Sequence, residues 1–407
     1  MYWLRELWGE LRQQRVRALL SLLSITWGTL SILLLLAFSV GFEELFAERQ
    51  RGLGDSIAIA FPQRTTLPHA GFPVGRRLVV ERDDVQALAA GVPGLAAISA
   101  EITTRERVTL GERALRITLS GVEPVYQQLR SIAAAPGGRF VDRIDLAEGR
   151  RVIFLGDGIA RLLFAAEPAV GRTLVLRGAP FLVVGVLAPK LQDSDYNGRD
   201  ESRAFVPITT FTQVFGQRQV SNFVFRARDP ERQAECTAAV TAALAARLRF
   251  DPADRQALSV WDTTEQQRML GYIFLGFHLM LGISGMFTML VGGVGIANLM
   301  FLLVRRRTAE IGLKLAVGAR PAQIRREVLN SALILVGAGG VLGALLAGIA
   351  VGLVTATPLP AEVGTPRVPP LLGLGATLLL LGTGLAAGWF PARRAAQLDP
   401  VAALRGA

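Results

Sequence analysis

Polarity along this chain changes in long blocks. Ala18 to Phe42 carries no charge, and neither do Met269–Val304, Val328–Ala361 or Leu371–Phe390. At 1.5 Å of rise per residue, the first run makes a helix of roughly 37 Å, enough for a hydrocarbon core of about 30 Å. The pattern predicts four transmembrane helices, at 18–42, 269–304, 328–355 and 371–391. The second run would extend roughly 54 Å, so that helix is either strongly tilted or stands partly outside the bilayer as a stalk. A cleaved signal peptide competes for the first run. Its apolar centre should be only about 7–15 residues long, so a retained anchor is the better reading.

Between the first two runs, residues 43–268 have frequent charges, short apolar stretches and regular Gly/Pro punctuation. Asp55–Phe61 alternates as a strand does, and Arg82–Ala90 reads as a helix with Asp83 and Asp84 in its first turn. Strand patterns recur at Ala114–Gly121, Val152–Leu155, Thr173–Leu176, Phe181–Val186 and Arg203–Val206. The region closes with a strand at Asn222–Arg228, a helix at Pro230–Arg249 and a strand at Leu258–Trp261. This close echoes the strand–helix–strand opening at residues 55–110. The expected domain is α+β with two lobes: a split lobe of 43–121 and 217–268, and an inserted β-rich lobe of 122–216.

Charge then orients the chain. Residues 1–17 form an expected amphipathic helix lying in the membrane interface, with Trp3, Leu4, Leu7, Trp8 and Leu11 on one face. Residues 305–327 form an elbow, in which Arg305, Arg306 and Arg307 open a short amphipathic helix that Gly318 closes. Pro321 then starts the next helix. Arginines gather in the N-terminal segment, the elbow and the tail (392–407), whereas the loop at 355–370 has only Arg367. The positive-inside rule places both termini and the elbow in the cytoplasm and residues 43–268 outside. A multi-pass protein of the inner (plasma) membrane is expected.

The formal net charge is +11, yet lysine occurs only at Lys190 and Lys314. Many arginines flank apolar blocks, so the balance does not point to nucleic acid. Cys236 is the single cysteine, and His69 and His278 are the two histidines. An intramolecular disulfide and a multi-histidine zinc site are therefore excluded. Neither lysine follows a glycine, so the residues hold no P-loop GK step. There is no GxSxG serine motif either. Asp193, Asp195, Asn197, Asp200 and Glu201 alternate as in a calcium loop, with Gly198 at the sixth position. The twelfth position is Ala204 where a glutamate is required, so a solvated acidic loop is expected.

Two stretches carry a resemblance. Leu290-Val291-Gly292-Gly293-Val294-Gly295 followed by Arg307-Thr308-Ala309-Glu310-Ile311-Gly312-Leu313-Lys314-Leu315-Ala316-Val317-Gly318-Ala319 resembles the signature of MacB/FtsX-like ABC-transporter permeases. Phe390-Pro391-Ala392-Arg393-Arg394-Ala395-Ala396, with Leu398-Asp399-Pro400 and Ala403-Leu404-Arg405, matches the same family's ending. The chain departs from it at Arg306, where the family usually has an acid, and at Ala309, where a base is common. The resemblance implies a permease without a fused ATPase domain and a two-lobed extracytoplasmic domain. It further implies a separate ABC ATPase subunit holding ATP and Mg, a second permease copy or paralogue, and a periplasmic adaptor as a candidate partner. By position, the ATPase-coupling elbow comprises Arg307, Glu310, Gly312, Lys314, Gly318 and Ala319. The chain itself is expected to hold no cofactor, no metal and no catalytic site. Export or extraction of a substrate is the expected function. The alternative is a non-transporting transducer that regulates an extracytoplasmic partner such as a cell-wall hydrolase.

Overall fold

A computed structural model describes residues 15–165, 167–192, 195–357, 364–368, 370–399 and 403. The expected interfacial helix at 1–17 falls almost wholly outside these residues. The chain divides into two compact units, Met1–Leu45 with Gly271–Ala407, and Phe46–Leu270.

The first unit is helical. Four helices are long and apolar enough to cross a membrane: α1 (Arg15–Arg51), α8 (Thr263–Arg306), α10 (Pro321–Ala356) and α11 (Pro370–Ala396). Each begins before its charge-free run, and all but α10 also end beyond it. Arg and Glu are good helix formers and carry α1, α8 and the start of α10 past the apolar residues. The 44 residues of α8 make a helix of roughly 66 Å.

Lipid supplies no hydrophobic drive for helices to associate, so close packing must hold these spans together. Small residues permit it. A Cβ at Gly343 of α10 would meet the Thr26 carbonyl of α1 at 2.7 Å, and one at Gly388 of α11 would meet Ala332 at 2.8 Å. Gly285, Gly292, Gly293, Gly339 and Gly384 also face neighbouring helices, whereas Gly282, Gly348 and Gly352 face open space. Glycine spacing thus marks the packed stripe only in part.

In the second unit, nine strands among the described residues form one sheet in the order β3-β7-β4-β6-β5-β2-β8-β1-β9. They are β1 (Ala58–Pro62), β2 (Leu95–Leu110), β3 (Arg113–Val122), β4 (Val152–Leu155), β5 (Thr173–Leu176), β6 (Ala179–Val186), β7 (Arg203–Pro207), β8 (Asn222–Ala227) and β9 (Leu258–Asp262). A further β2–β3 pairing closes a circuit of β2, β3, β7, β4, β6 and β5. Helices α2 (Arg82–Gly91) and α7 (Gln233–Leu248) bury Val85, Leu88, Val240 and Leu244 with Ala58, Phe223 and Phe225 of the open part of the sheet. Short helices α3 (Tyr126–Leu129), α4 (Arg143–Glu148), α5 (Asp157–Phe164) and α6 (Ile208–Phe215) connect or cover the closed part.

The lobe boundary differs from the expected cut at 121/122. Strands β2 and β3 belong to the closed circuit, and β2 serves both parts of the sheet. Its first half pairs with β8 and its second half with β3, and Glu101 has a partner on each side, Asn222 and Val122. A strand of 16 residues is long enough to leave one sheet region and enter another.

Glu101 is fully buried at that handover. It accepts hydrogen bonds from Arg203 of β7, from Tyr196 at 2.8 Å and from Asn222 at 2.7 Å. Beside it, Asp200 accepts from Arg130 at 2.8 Å and from Lys190 at 2.7 Å. The solvated acidic loop is therefore corrected at Asp200, which is 0% exposed and bound by cations. No group of metal ligands forms among the described residues.

Burial opposes the charge on both carboxylates, but Arg203 and Arg130 outweigh it at Glu101, as Arg130 and Lys190 do at Asp200. Both pKa values lie below the ordinary range. Burial pushes the Tyr126 hydroxyl up to about 12. The carboxylates bind protons less readily when folded, so their stabilisation is complete above about pH 4 and is lost as pH falls through the depressed values. Tyr126 acts at the other end. Its contribution holds below about pH 10 and is lost as pH rises from there towards its folded value.

Removing one partner of a buried pair costs about 3–5 kcal/mol, because a charge is left uncompensated. Glu101→Gln should therefore speed amide hydrogen exchange in β2 and β8 strongly at neutral pH. Exchange unchanged from the parent would contradict the pairing described.

Candidate functional site

The elbow is built by sequence-local rules. Helix α8 ends at Arg306, and α9 (Thr308–Ala316) follows after Arg307 alone. Gly318 has φ +99°, a conformation that side-chain-bearing residues rarely adopt, and it lets the chain turn after Val317. The Ala319 amide then donates to the Lys314 carbonyl at 2.9 Å. Pro321 starts α10, where its missing N–H costs nothing, and the Gln323 side chain accepts from the Arg320 amide at 2.9 Å.

Charged side chains fix the angle between α9 and α10. Lys314 lies 2.8 Å from Glu310 and 3.0 Å from Glu327 of α10. Arg307 lies 3.7 Å from Glu310 and 3.9 Å from Glu327. Two cations and two anions therefore alternate across the corner. Burial works against the Lys314 ammonium, but the Glu310 and Glu327 carboxylates outweigh it and raise its pKa above the usual lysine value. A cavity of about 30 Å³ lies among Val304, Arg307, Glu310, Ile324, Glu327 and Ser331. It is far too small for an organic ligand.

The six residues expected at this site thus divide by role. Arg307, Glu310 and Lys314 meet one another inside the corner. Gly312 is buried, Ala319 packs against the helical core, and Gly318 makes the turn. That core also takes in Ile311, Ile324 and Val328, together with Ala392 and Ala395 from the C-terminal stretch. The two stretches that carried the resemblance meet in one apolar cluster.

Sequence reasoning missed two features. Glu327 lies 13 positions from Lys314, and local periodicity cannot pair residues that far apart across a turn. The outer face of α9 was missed as well. Leu313 is 55% exposed and Val317 is 81% exposed, one helical turn apart, with Ala316 exposed between them. Their polarity pattern alone does not separate them from core residues. His278, in contrast, lies 3.8 Å from Glu43 and joins no group of metal ligands among the described residues.

Comparison with known proteins agrees with both units. Residues 18–243 match the MacB-like periplasmic core domain, and residues 282–400 match the FtsX-like permease C-terminal domain. The macrolide export ATP-binding/permease protein MacB of Rhodospirillum rubrum is 31% identical over 97% of this chain and 59% of its own length. The pyoverdine export ATP-binding/permease protein PvdT of Pseudomonas entomophila is 29% identical over 98% of this chain and 59% of its own length. The chain therefore spans about three-fifths of the curated relatives it matches. The periplasmic region of MacB from Actinobacillus actinomycetemcomitans aligns with a TM-score of 0.44 and 15% identity, covering 55% of this chain and 96% of that one. A membrane protein with four candidate spans, a mixed α/β extracytoplasmic segment and both family domains in order, this chain belongs to the MacB/FtsX-like family of ABC-transporter permeases.

Proposed function

We propose that the chain is the permease of an export complex and that α9 receives the motor. In this reading a separate ABC ATPase, carrying ATP and Mg²⁺, docks on the outer face of α9 from the cytoplasm, and a second permease copy completes the assembly. Hydrolysis is assigned to the partner, because these residues hold no P-loop lysine. Both termini share the cytoplasmic side with the elbow, as the arginine distribution favours. Export is taken from the names of the relatives.

The exposed pair Leu313 and Val317 on an ion-paired corner carries the proposal. Exposed apolar surface set among charges suits a protein partner. A corner held by Lys314, Glu310, Glu327 and Arg307 passes on a push instead of absorbing it. The route outward is α8, which runs unbroken from Thr263 to Arg306. Its first residue is tied to the β1 end of the sheet. The Thr263 hydroxyl donates to the Ile57 carbonyl at 2.8 Å and accepts from the Ile57 amide at 3.1 Å.

Burial of a Leu or Val side chain is worth about 1.5–3 kcal/mol. The double change Leu313→Ser, Val317→Ser should therefore cut ATPase recovered with the purified permease by about tenfold or more, at an unchanged membrane level. Glu310→Lys would place a third cation around Glu327, and Gly318→Val would strain the turn by about 1–2 kcal/mol. Both should weaken the complex in the same assay. Full recovery of stimulated ATPase by all three variants would leave residues 305–319 as a topology anchor only. Orientation is tested separately by thiol labelling in a Cys236→Ser background. Glu112→Cys should react only from outside and Arg320→Cys only from inside, and labelling of both from one side would overturn the orientation.

A further inference from the structure

Strands β2 and β3 present one outward face on which every second residue points the same way. Along β2 these residues are Glu101, Thr103, Arg105, Arg107 and Thr109. On β3 they are Ala114, Arg116, Thr118 and Ser120, with Arg107 opposite Arg116 and Arg105 opposite Thr118. At one end the face is closed by the buried Glu101–Arg203 pair, whose guanidinium also donates to Ser120 at 2.6 Å. Further along, Arg105, Arg107 and Arg116 are all exposed. Cross-strand neighbours lie about 5 Å apart and alternate residues about 7 Å apart, so three guanidinium groups crowd one small area.

None of the three has an ion pair or a side-chain hydrogen bond among the described residues. Some other exposed arginines of the same unit find carboxylates, as Arg232 does with Glu235 at 2.6 Å and Arg150 with Glu148 at 2.8 Å. Others, such as Arg143, Arg228 and Arg255, stand singly; the ribbon differs in holding three unpaired arginines side by side. Glu106, the acid on β2 between Arg105 and Arg107, faces the other side and is taken by Arg177 at 2.7 Å. Glu112 sits in the hairpin turn, beyond the last pair Leu110–Arg113. Like charges directly opposite each other destabilise a ribbon. Among the described residues, no carboxylate pairs with these arginines to relieve that repulsion.

We propose that this ribbon face is a docking surface for an acidic segment of a partner protein in the extracytoplasmic compartment. An extended segment repeats its side chains on one face at the spacing of Arg105 and Arg107, so alternate carboxylates can meet both arginines while a third reaches Arg116. The neighbouring side chains argue against other occupants. Binding to a lipid surface wants aromatic and apolar residues beside the cations, and single-stranded nucleic acid wants stacking platforms. This face offers Thr103, Thr109, Ala114 and Thr118 instead. A flat ribbon gives a small free anion no enclosing walls.

The test uses the full chain in phosphatidylcholine nanodiscs, with a fluorescent oligoglutamate peptide as probe. The parent should bind it at low ionic strength, and binding should weaken with added salt. Arg105→Glu, Arg107→Glu and Arg116→Glu together should weaken binding by about tenfold or more. The control set Arg143→Glu, Arg228→Glu and Arg255→Glu makes the same change in net charge and should shift affinity by less than about threefold. The milder set Arg105→Gln, Arg107→Gln and Arg116→Gln should also lose the peptide while its melting temperature stays at or above the parent's, since repulsion is relieved. No binding by the parent, equal loss in the control set, or arginine-dependent capture of phosphatidylglycerol vesicles without peptide binding would each overturn the proposal.

Discussion

Lys314 holds two helices at a fixed corner because it meets one carboxylate on each, Glu310 on α9 and Glu327 on α10. The partial burial that makes the ammonium costly to hold also strengthens both contacts. Arg307 stands beside the same two acids, so the charges alternate and no single pair carries the corner. An apolar contact alone would permit sliding along the helix. Directional ion pairs across a one-glycine turn do not. The outward display of Leu313 and Val317 depends on this, because their direction is set by the angle at which α9 meets α10.

A second buried arrangement governs the extracytoplasmic unit. Glu101 sits where β2 passes from β8 to β3, and its carboxylate gathers Arg203, Tyr196 and Asn222 from separate segments. Burying ions there costs more than burying leucines would, so the arrangement is better understood as fixing register than as adding stability. A slip of β2 by one residue would carry Glu101 to the other face and leave Arg203 without its anion. The same alternation that buries Glu101 presents Arg105 and Arg107 on one outward face.

How far all this could be read beforehand depends on how local each signal is. The four spans were legible because a charge-free run reports directly on the solvent around it. Their ends were not, since Glu265, Arg268, Arg305 and Arg306 continue a helix as readily as they would leave it. Strands such as Val152–Leu155 and Thr173–Leu176 were bounded as found, being short apolar runs between turns. The division of the sheet was misplaced because β2 pairs on both sides, and pairing is invisible to periodicity. Asp200 looked solvated because its partners Arg130 and Lys190 are far or unremarkable in sequence. At the elbow, the family stretch located the corner and Gly318 explained its turn. Glu327 and the outward set of Leu313 and Val317 needed three dimensions.

The claim that α9 receives the ATPase on its outer face is tested most directly by proximity. In a Cys236→Ala background, a thiol-linked photocrosslinker would be attached at Val317→Cys in membranes holding the assembled complex. The account predicts a covalent adduct between the permease and the ATPase subunit on illumination, lost when Leu313→Ser weakens docking. A complex that keeps its ATPase while the probe at Val317→Cys forms no adduct would contradict it.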